Sequence, residues 1–341
     1  MEHIEGKSQS NPSANRRDPR LYHIASLGTL LAYGLFWLHF DLSLWQIAVT
    51  IGTALLTQYA GTRYAKLPCF DPKSALISSL SLCILLRTDH LAIAALASVA
   101  AIGSKFLIRW QDKHLFNPTN LALAVMLACG LGWISPGQWG QVAWFGFLIA
   151  CLGGLVVTRA ARADVTFAFL AAYVGLLFVR VLWLGDPLAI PFHQIESGAL
   201  LIFAFFMISD PKTTPDSRAG RIVYALCVAL AALYVQFGLF RPNGPLWGLI
   251  ACAPLVPLID HLFPGARYAW TSPSTGSASP NASLPINGQP SSVNHHLPVP
   301  VPVVSPTKEV LMRRAIVPSL LFALSLFAWS GEASAFCGFY V

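Results

Sequence analysis

Two short polar segments interrupt a chain that is otherwise apolar. One is Asn117-Pro118-Thr119-Asn120, closing the run Trp110–Asn120; the other is Asp210-Pro211-Lys212-Thr213-Thr214, within Phe205–Arg221. Amides and hydroxyls both donate and accept hydrogen bonds. Placed at the N-terminus of a helix, such groups can hold a polar ring or an anion. The same residues also have purely structural uses. Asn117 or Thr119 can cap a helix with Pro118 in its first turn, and Thr213, Thr214, Asp216 or Ser217 can cap one starting near Ala219. No catalytic set stands out. The nine histidines form no ligand pair on one helix and the seven cysteines show no C-x-x-C, so no metal or iron–sulfur spacing is visible. Most of the cysteines read as small buried hydrophobes.

The elements that must position these segments are unusually short. Gly198–Ser209 runs straight into Asp210-Pro211, and a helix of that length reaches about 18 Å, against a hydrocarbon core of about 30 Å. Pro211 removes a donor and disfavours helix in the residue before it, so the helix is expected to stop there. Ser74–Leu86, followed by Arg87-Thr88-Asp89, has the same length and the same ending. The separation that relates Ala75 to Ala199 also relates Asn117-Pro118-Thr119-Asn120 to Arg241-Pro242-Asn243-Gly244, and nearly the same one relates Ile24–Gly28 to Ile149–Gly153. These echoes predict an internal duplication. Short apolar segments at matching places in two halves point to a binding site near the membrane midplane.

Composition fixes the class. The chain has 341 residues, 55% hydrophobic and only 11% charged, with a mean hydropathy of +0.60; globular chains carry about 25% charged residues. An all-α, polytopic membrane protein is expected, since no barrel-like alternation is visible and helices are then the workable spanning element. Spans are predicted near 21–40, 44–61, 74–86, 90–107, 118–134, 141–158, 165–184, 197–209, 222–239 and 245–263, with an eleventh hydrophobic segment near 315–330. The net charge of +7 could signal nucleic acid, but its distribution assigns it to topology. With the N-terminus in the cytoplasm, all 22 Lys and Arg residues except Arg87, Arg180 and Arg241 fall inside. Five spans per half then place the two repeats in opposite orientations. The expected location is a bacterial inner membrane, multi-pass, with the lipid bilayer as partner and no nucleic acid.

Four regions follow. Residues 1–18 are a polar, disordered tail. Residues 19–268 form the membrane domain, in which Arg162 and Asp164 are expected to pair and Pro254 and Pro257 to kink the tenth span. Residues 269–310 are a Pro/Ser-rich linker. Residues 311–341 carry Met312-Arg313-Arg314, an apolar run and Ala333-Ser334-Ala335, the grammar of an export signal. The six residues after it, Phe336–Val341, resemble the mature start of a secreted family of unknown function.

Ser74–Leu86, Lys113–Ala124 with Phe116-Asn117-Pro118, and Phe205–Tyr224 with Ser209-Asp210-Pro211 and Gly220-Arg221 together resemble a known family. This is the RnfD/NqrB family, whose members are membrane components of the Rnf electron-transport complex and of the sodium-pumping NADH:quinone reductase. Trp133–Gly140 and Ser209–Pro215 are most similar to a branch labelled enediyne-biosynthesis membrane proteins. The resemblance implies ten helices in two inverted five-helix repeats, electron transfer with other membrane or redox subunits, and two flavins. One flavin is held covalently through a threonine in an outer loop. That loop is Gly132–Gly140 here and has no threonine, so covalent FMN is not expected. The other site implies a non-covalent flavin, riboflavin or FMN, bound by Asn117, Pro118, Thr119, Asn120, Asp210, Pro211, Thr213 and Thr214. The expected function is a subunit of a membrane oxidoreductase complex. The alternative is a small-solute or ion transporter of the same inverted-repeat design without flavin.

Overall fold

The structure, a computed structural model, describes residues 18–111, 113–134, 143–195 and 197–268. The polar tail before Asp18, residues 135–142 of the outer loop, the linker 269–310 and the signal-like segment 311–341 lie outside the described residues.

The chain is mostly helical, and four of the described helices begin at a capping side chain. Asp18 caps α1 (Pro19–Phe36), its side chain accepting from Arg20 N at 3.0 Å, so Asp18 belongs to the helix and not to the tail. Ser43 caps α2 (Leu44–Tyr64). Then come α3 (Lys73–Leu85) and α4 (Leu91–Leu107). A departure from the all-α expectation follows: a hairpin of two-residue strands, β1 (Arg109–Trp110) and β2 (Lys113–His114), turning at Gln111 with a φ of 43°. It leads into α5 (Pro118–Ala128), capped by Asn117. This helix stops short of the expected 134; Gly130, at a φ of 66°, adopts the left-handed conformation that ends helices.

The second half runs α6 (Ala143–Arg159), α7 (Ala163–Leu184), α8 (Ala189–Ile195) and α9 (Gly198–Ile202). The short helix α8 lies in a stretch read from sequence as loop. α9 widens into a π turn, Phe203–Met207, and ends before Asp210. Ser217 caps α10 (Arg218–Leu233), which also closes in a π turn, Tyr234–Gly238. Last come α11 (Gly244–Cys252) and α12 (Val256–Leu262). Between these two lies a 3-10 turn carrying Pro254, with Pro257 in the first turn of α12, the two expected kink residues.

Among the described residues, three helical stretches are long and apolar enough to cross a membrane: Ala163–Leu184, Arg218–Gly238 and Gly244–Leu262. Shorter apolar helices include Lys73–Leu85, Leu91–Leu107, Pro118–Ala128 and Gly198–Met207. Together with side chains such as Leu182, Trp183 and Leu230 exposed on the helix surfaces, they fit a membrane protein. One core joins α1, α3, α6, α7, α9 and α10 through Leu27, Leu82, Ile149, Phe169, Ile202 and Tyr224. A second, made by Leu115, Phe116, Leu121, Trp247 and Ile250, fills the contact between α5 and α11. α11 lies almost backbone to backbone on α10: a Cβ at Gly248 would sit 2.8 Å from Ala232 N and 2.9 Å from Val228 O. Such close approach is available only to small residues.

Candidate functional site

The chain geometry around Asn117 follows from its neighbour. A residue before proline is pushed out of the helical region, and Asn117 sits at φ −62°, ψ 124°. In that conformation its Oδ1 accepts from Asn120 N at 3.0 Å and caps α5. The other end of the same amide is then directed across the molecule. Nδ2 donates to Met207 O at 3.2 Å and lies 3.4 Å from Asp210 Oδ2. Within a helix, Met207 O would accept from the residue four positions on. That residue is Pro211, which has no N–H. Asn117 supplies the donor instead, alongside Asp210 N at 3.3 Å.

The first turn of α5 makes two more connections. Thr119 Oγ1 donates to Ser78 O in α3 at 3.5 Å. Asn120, fully buried, donates through Nδ2 to Leu246 O in the first turn of α11 at 3.1 Å. Its Oδ1 is buried with no hydrogen-bond partner. Pro118 occupies the first helical position and is buried.

Asp210 organises the other segment. Its Oδ1 accepts from Lys212 N at 3.0 Å. Its backbone carbonyl accepts from the hydroxyls of Thr213 at 3.3 Å and Thr214 at 3.1 Å, and from both of their backbone N–H groups. These threonines fold the turn after Pro211 and have no role in capping α10, which falls to Ser217. Burial raises the Asp210 carboxyl above the ordinary carboxylate range, opposed by the Lys212 N–H and by the charges of Lys105, Lys212 and Arg162. The structure thus joins Asn117 to Asp210 directly. It connects Asn120 to α11 and Thr119 to α3, and turns Thr213 and Thr214 inward on Asp210.

Ion pairs brace this end of the bundle. Lys113 Nζ lies 2.9 Å from Asp216 and 2.7 Å from Asp260, and donates to Thr214 O at 3.0 Å. Arg20 pairs with Asp18 and Asp71, tying α1 to the loop before α3. The expected pair Arg162–Asp164 does not form. Asp164 accepts instead from Arg221 of α10, with Nε 2.9 Å from both carboxylate oxygens. Arg162 stacks over Tyr268 at 4.7 Å and donates to Ala161 O. A bidentate fork from the facing helix outcompetes a neighbour two residues away in sequence. His114, in β2, is pushed down to about 3, first by burial and then by the charges of Lys105, Arg109 and Lys212. Among the described residues no group of three His, Cys, Asp or Glu could hold a metal ion.

Sequence reasoning missed Lys113, Asp260 and the carbonyls of Met207 and Leu246. For Asp260 a signal existed: a lone acid in the last turn of an apolar helix is costly unless paired. The carbonyls carried none.

A model of the NQR2, RnfD, RnfE family matches residues 113–269. All eight candidate residues lie inside that stretch, whereas Ser74–Leu86 and the first four helices lie outside it. Proteins named as the D component of an ion-translocating oxidoreductase complex are similar to the chain. That of Erwinia tasmaniensis is 32% identical over 136 residues, 39% of this chain and 35% of the relative. The one from Citrobacter koseri is 33% identical over 139 residues, 40% and 36%. The one from Alcanivorax borkumensis is 30% identical over 153 residues, 43% and 41%. The alignments with these curated relatives span 35% to 41% of the relatives' length. With its Asn-Pro and Asp-Pro segments joined through Asn117 and Asp210, the chain is similar, through residues 113–269, to the NQR2, RnfD, RnfE family.

Proposed function

We propose that this chain is a membrane subunit of an electron-transport complex that holds a non-covalent flavin between the first turn of α5 and the segment 207–214. The observation that carries the reading is the Asn117–Asp210 contact beside the buried, unpartnered Oδ1 of Asn120. A flavin's ring edge presents donors and acceptors at fixed places, and apolar walls suit its dimethylbenzene side. Asn117 and Asp210 would hold the polar edge, Asn120 Oδ1 would accept from a ring N–H, and Phe116 and Trp247 of the α5–α11 core would keep water away. Pro118, Thr119, Pro211, Thr213 and Thr214 position those groups. When bound, the flavin would supply the one- and two-electron chemistry that the side chains lack.

We read the architecture as two inverted five-helix repeats in a bacterial inner membrane, multi-pass, with the N-terminus cytoplasmic and other membrane or redox subunits as partners. What supports the repeat is the sequence of contacts. α1 packs on α3, α2 on α4 and α4 on α5; likewise α6 packs on α9, α7 on α10 and α10 on α11. α1 also meets α6, and α5 meets α11, as a twofold relation between the halves requires.

A second reading has its own observation. The hydroxyls of Thr213 and Thr214 are already engaged by Asp210, which favours a transporter for a small solute or ion built on the same broken helices, without flavin. Acid or detergent extraction of the purified protein separates the two. Flavin released into the extract, with none left fluorescent on the denatured band, supports the first reading. A fluorescent band contradicts the non-covalent assignment, and no flavin in either fraction favours the transporter.

A further inference from the structure

The candidate site lies near the start of α7, where Asp164 meets Arg221. Arg180, in the same helix, stands about 24 Å farther along it. There α7 and α10, with the π turn that closes α10, leave a groove of about 460 Å³ between them. Val179, Arg180, Trp183, Leu230, Tyr234 and Phe237 are among its lining, and Arg180 is the one charged residue there. Val179, Trp183, Leu230 and Tyr234 are exposed, so the groove opens on the outside of the bundle. Tyr173 of α7 donates to Gln236 Oε1 in the π turn at 2.8 Å, which ties the two walls together.

Arg180 is held in two ways. Its guanidinium lies over the Phe237 ring, 4.0 Å from the centroid, and Nη1 donates to Asp186 Oδ2 at 3.0 Å. Both side chains are 33% exposed. A guanidinium has five N–H donors, and among the described residues a single one is engaged. The pair also stands at a defined level. Gly185, at a φ of 71°, ends α7 just before Asp186. α8 then packs on α7, the rings of Phe192 and Phe178 lying 5.5 Å apart, and leaves Ile190 and Phe192 exposed. Trp and Tyr gather where hydrocarbon gives way to headgroups, and Trp183 and Tyr234 stand in this groove. An apolar groove therefore ends on an accessible ion pair at headgroup level.

We propose that this groove binds a phospholipid with a zwitterionic, primary-amine headgroup, phosphatidylethanolamine. One acyl chain lies along Val179, Trp183 and Leu230, the phosphate meets Arg180 and the ammonium meets Asp186. The apolar lining selects a lipid over a soluble phosphate compound. The ion pair selects the headgroup. Arg180 and Asp186 together carry no net charge, nor does phosphoethanolamine, and each of its charges meets its opposite. The free edge of a guanidinium suits two phosphate oxygens at once. An anionic headgroup would leave Asp186 as a like charge beside its phosphate. A choline headgroup matches the charges, but its quaternary nitrogen has no N–H to donate to Asp186. The proposal needs neither the flavin nor the transporter.

The test uses the full-length protein, delipidated in a neutral detergent. Phosphatidylethanolamine, phosphatidylcholine and phosphatidylglycerol of one acyl composition are added in equal amounts. Native mass spectrometry follows their retention, with the thermal midpoint as a second readout. Phosphatidylethanolamine is expected to be retained about tenfold over each of the others and to raise the midpoint most. Asp186→Asn is expected to erase that preference, and Arg180→Gln to weaken all three lipids about tenfold. Leu230→Trp fills the groove, leaves the ion pair in place and is expected to abolish retention; it covers the case in which Arg180→Gln fails to fold. Equal retention of the three lipids by the unaltered protein would overturn the proposal, as would a preference for phosphatidylglycerol. A preference for phosphatidylethanolamine that Asp186→Asn and Leu230→Trp leave unmoved would place that lipid elsewhere and overturn it too. A dimer that Leu230→Trp dissociates, with no lipid retained, would assign the groove to a second copy of this chain.

Discussion

Asn117 performs two tasks with one amide, and they can be separated. Oδ1 caps α5 through Asn120 N, and Nδ2 bridges to Met207 O. Replacing the residue by alanine removes both. Loss of the cap costs about 0.5–2 kcal/mol, and loss of one neutral hydrogen bond about 0.5–1.5 kcal/mol. Met207 O keeps Asp210 N as a donor, so no penalty for an orphaned carbonyl is added. The 3.4 Å approach to Asp210 Oδ2 is too long to add much. Asn117→Ala should therefore cost about 1–3.5 kcal/mol. Serine caps as well as asparagine but is too short to bridge, so Asn117→Ser should cost only about 0.5–1.5 kcal/mol. Unfolding in detergent, followed by helical circular dichroism, measures both. Equal losses in the two variants, or no loss in alanine, would refute this division of labour. If a flavin is bound here, Asn117→Ser should release it while the fold persists; unfolding in place of release would leave Asn117 a structural residue only.

Three other expectations follow from named contacts. Arg221→Leu strands the carboxylate of Asp164, only 15% exposed, and should cost about 3–5 kcal/mol; a loss under about 1 kcal/mol in the same unfolding measurement would contradict the pairing. Gly248→Leu forces a side chain against the α10 backbone and should cost about 1–3 kcal/mol, whereas Gly28→Ala, with open space around its Cβ, should cost nothing; similar thermal midpoints for the two would refute the close approach. His114 is held neutral down to about pH 3, so the unfolded chain binds the extra proton first. Stability is then fully present above an unfolded value of about 6.5 and falls as pH drops from there toward about 3. His114→Asn should flatten that slope, and parallel slopes in wild type and variant would remove His114 as its source.

Much of the fold was legible because its signals are local. A cap and the proline beside it are neighbours in the chain, so Asp18-Pro19 and Asn117-Pro118 announce α1 and α5, and Asp210-Pro211 announces the end of the π turn. The kinks at Pro254 and Pro257 are local for the same reason. The two polar segments were visible as breaks in apolar sequence, and the similarity to the NQR2, RnfD, RnfE family lies in the stretch that holds both. Where local rules compete, sequence alone erred: it read α8 as loop and missed the β1–β2 hairpin.

Pairing across the bundle was decided only by the tertiary structure. Arg162 and Asp164 stand two residues apart and invite a bridge, yet Asp164 turns to Arg221 on the facing helix. Lys113 finds Asp260, and Asn120 finds a carbonyl of α11. A main-chain carbonyl has no signature in sequence, since every residue has one; Met207 O becomes a site only because Pro211 vacates it and α5 arrives beside it. Composition counts charges, but only packing determines which of them share a carboxylate.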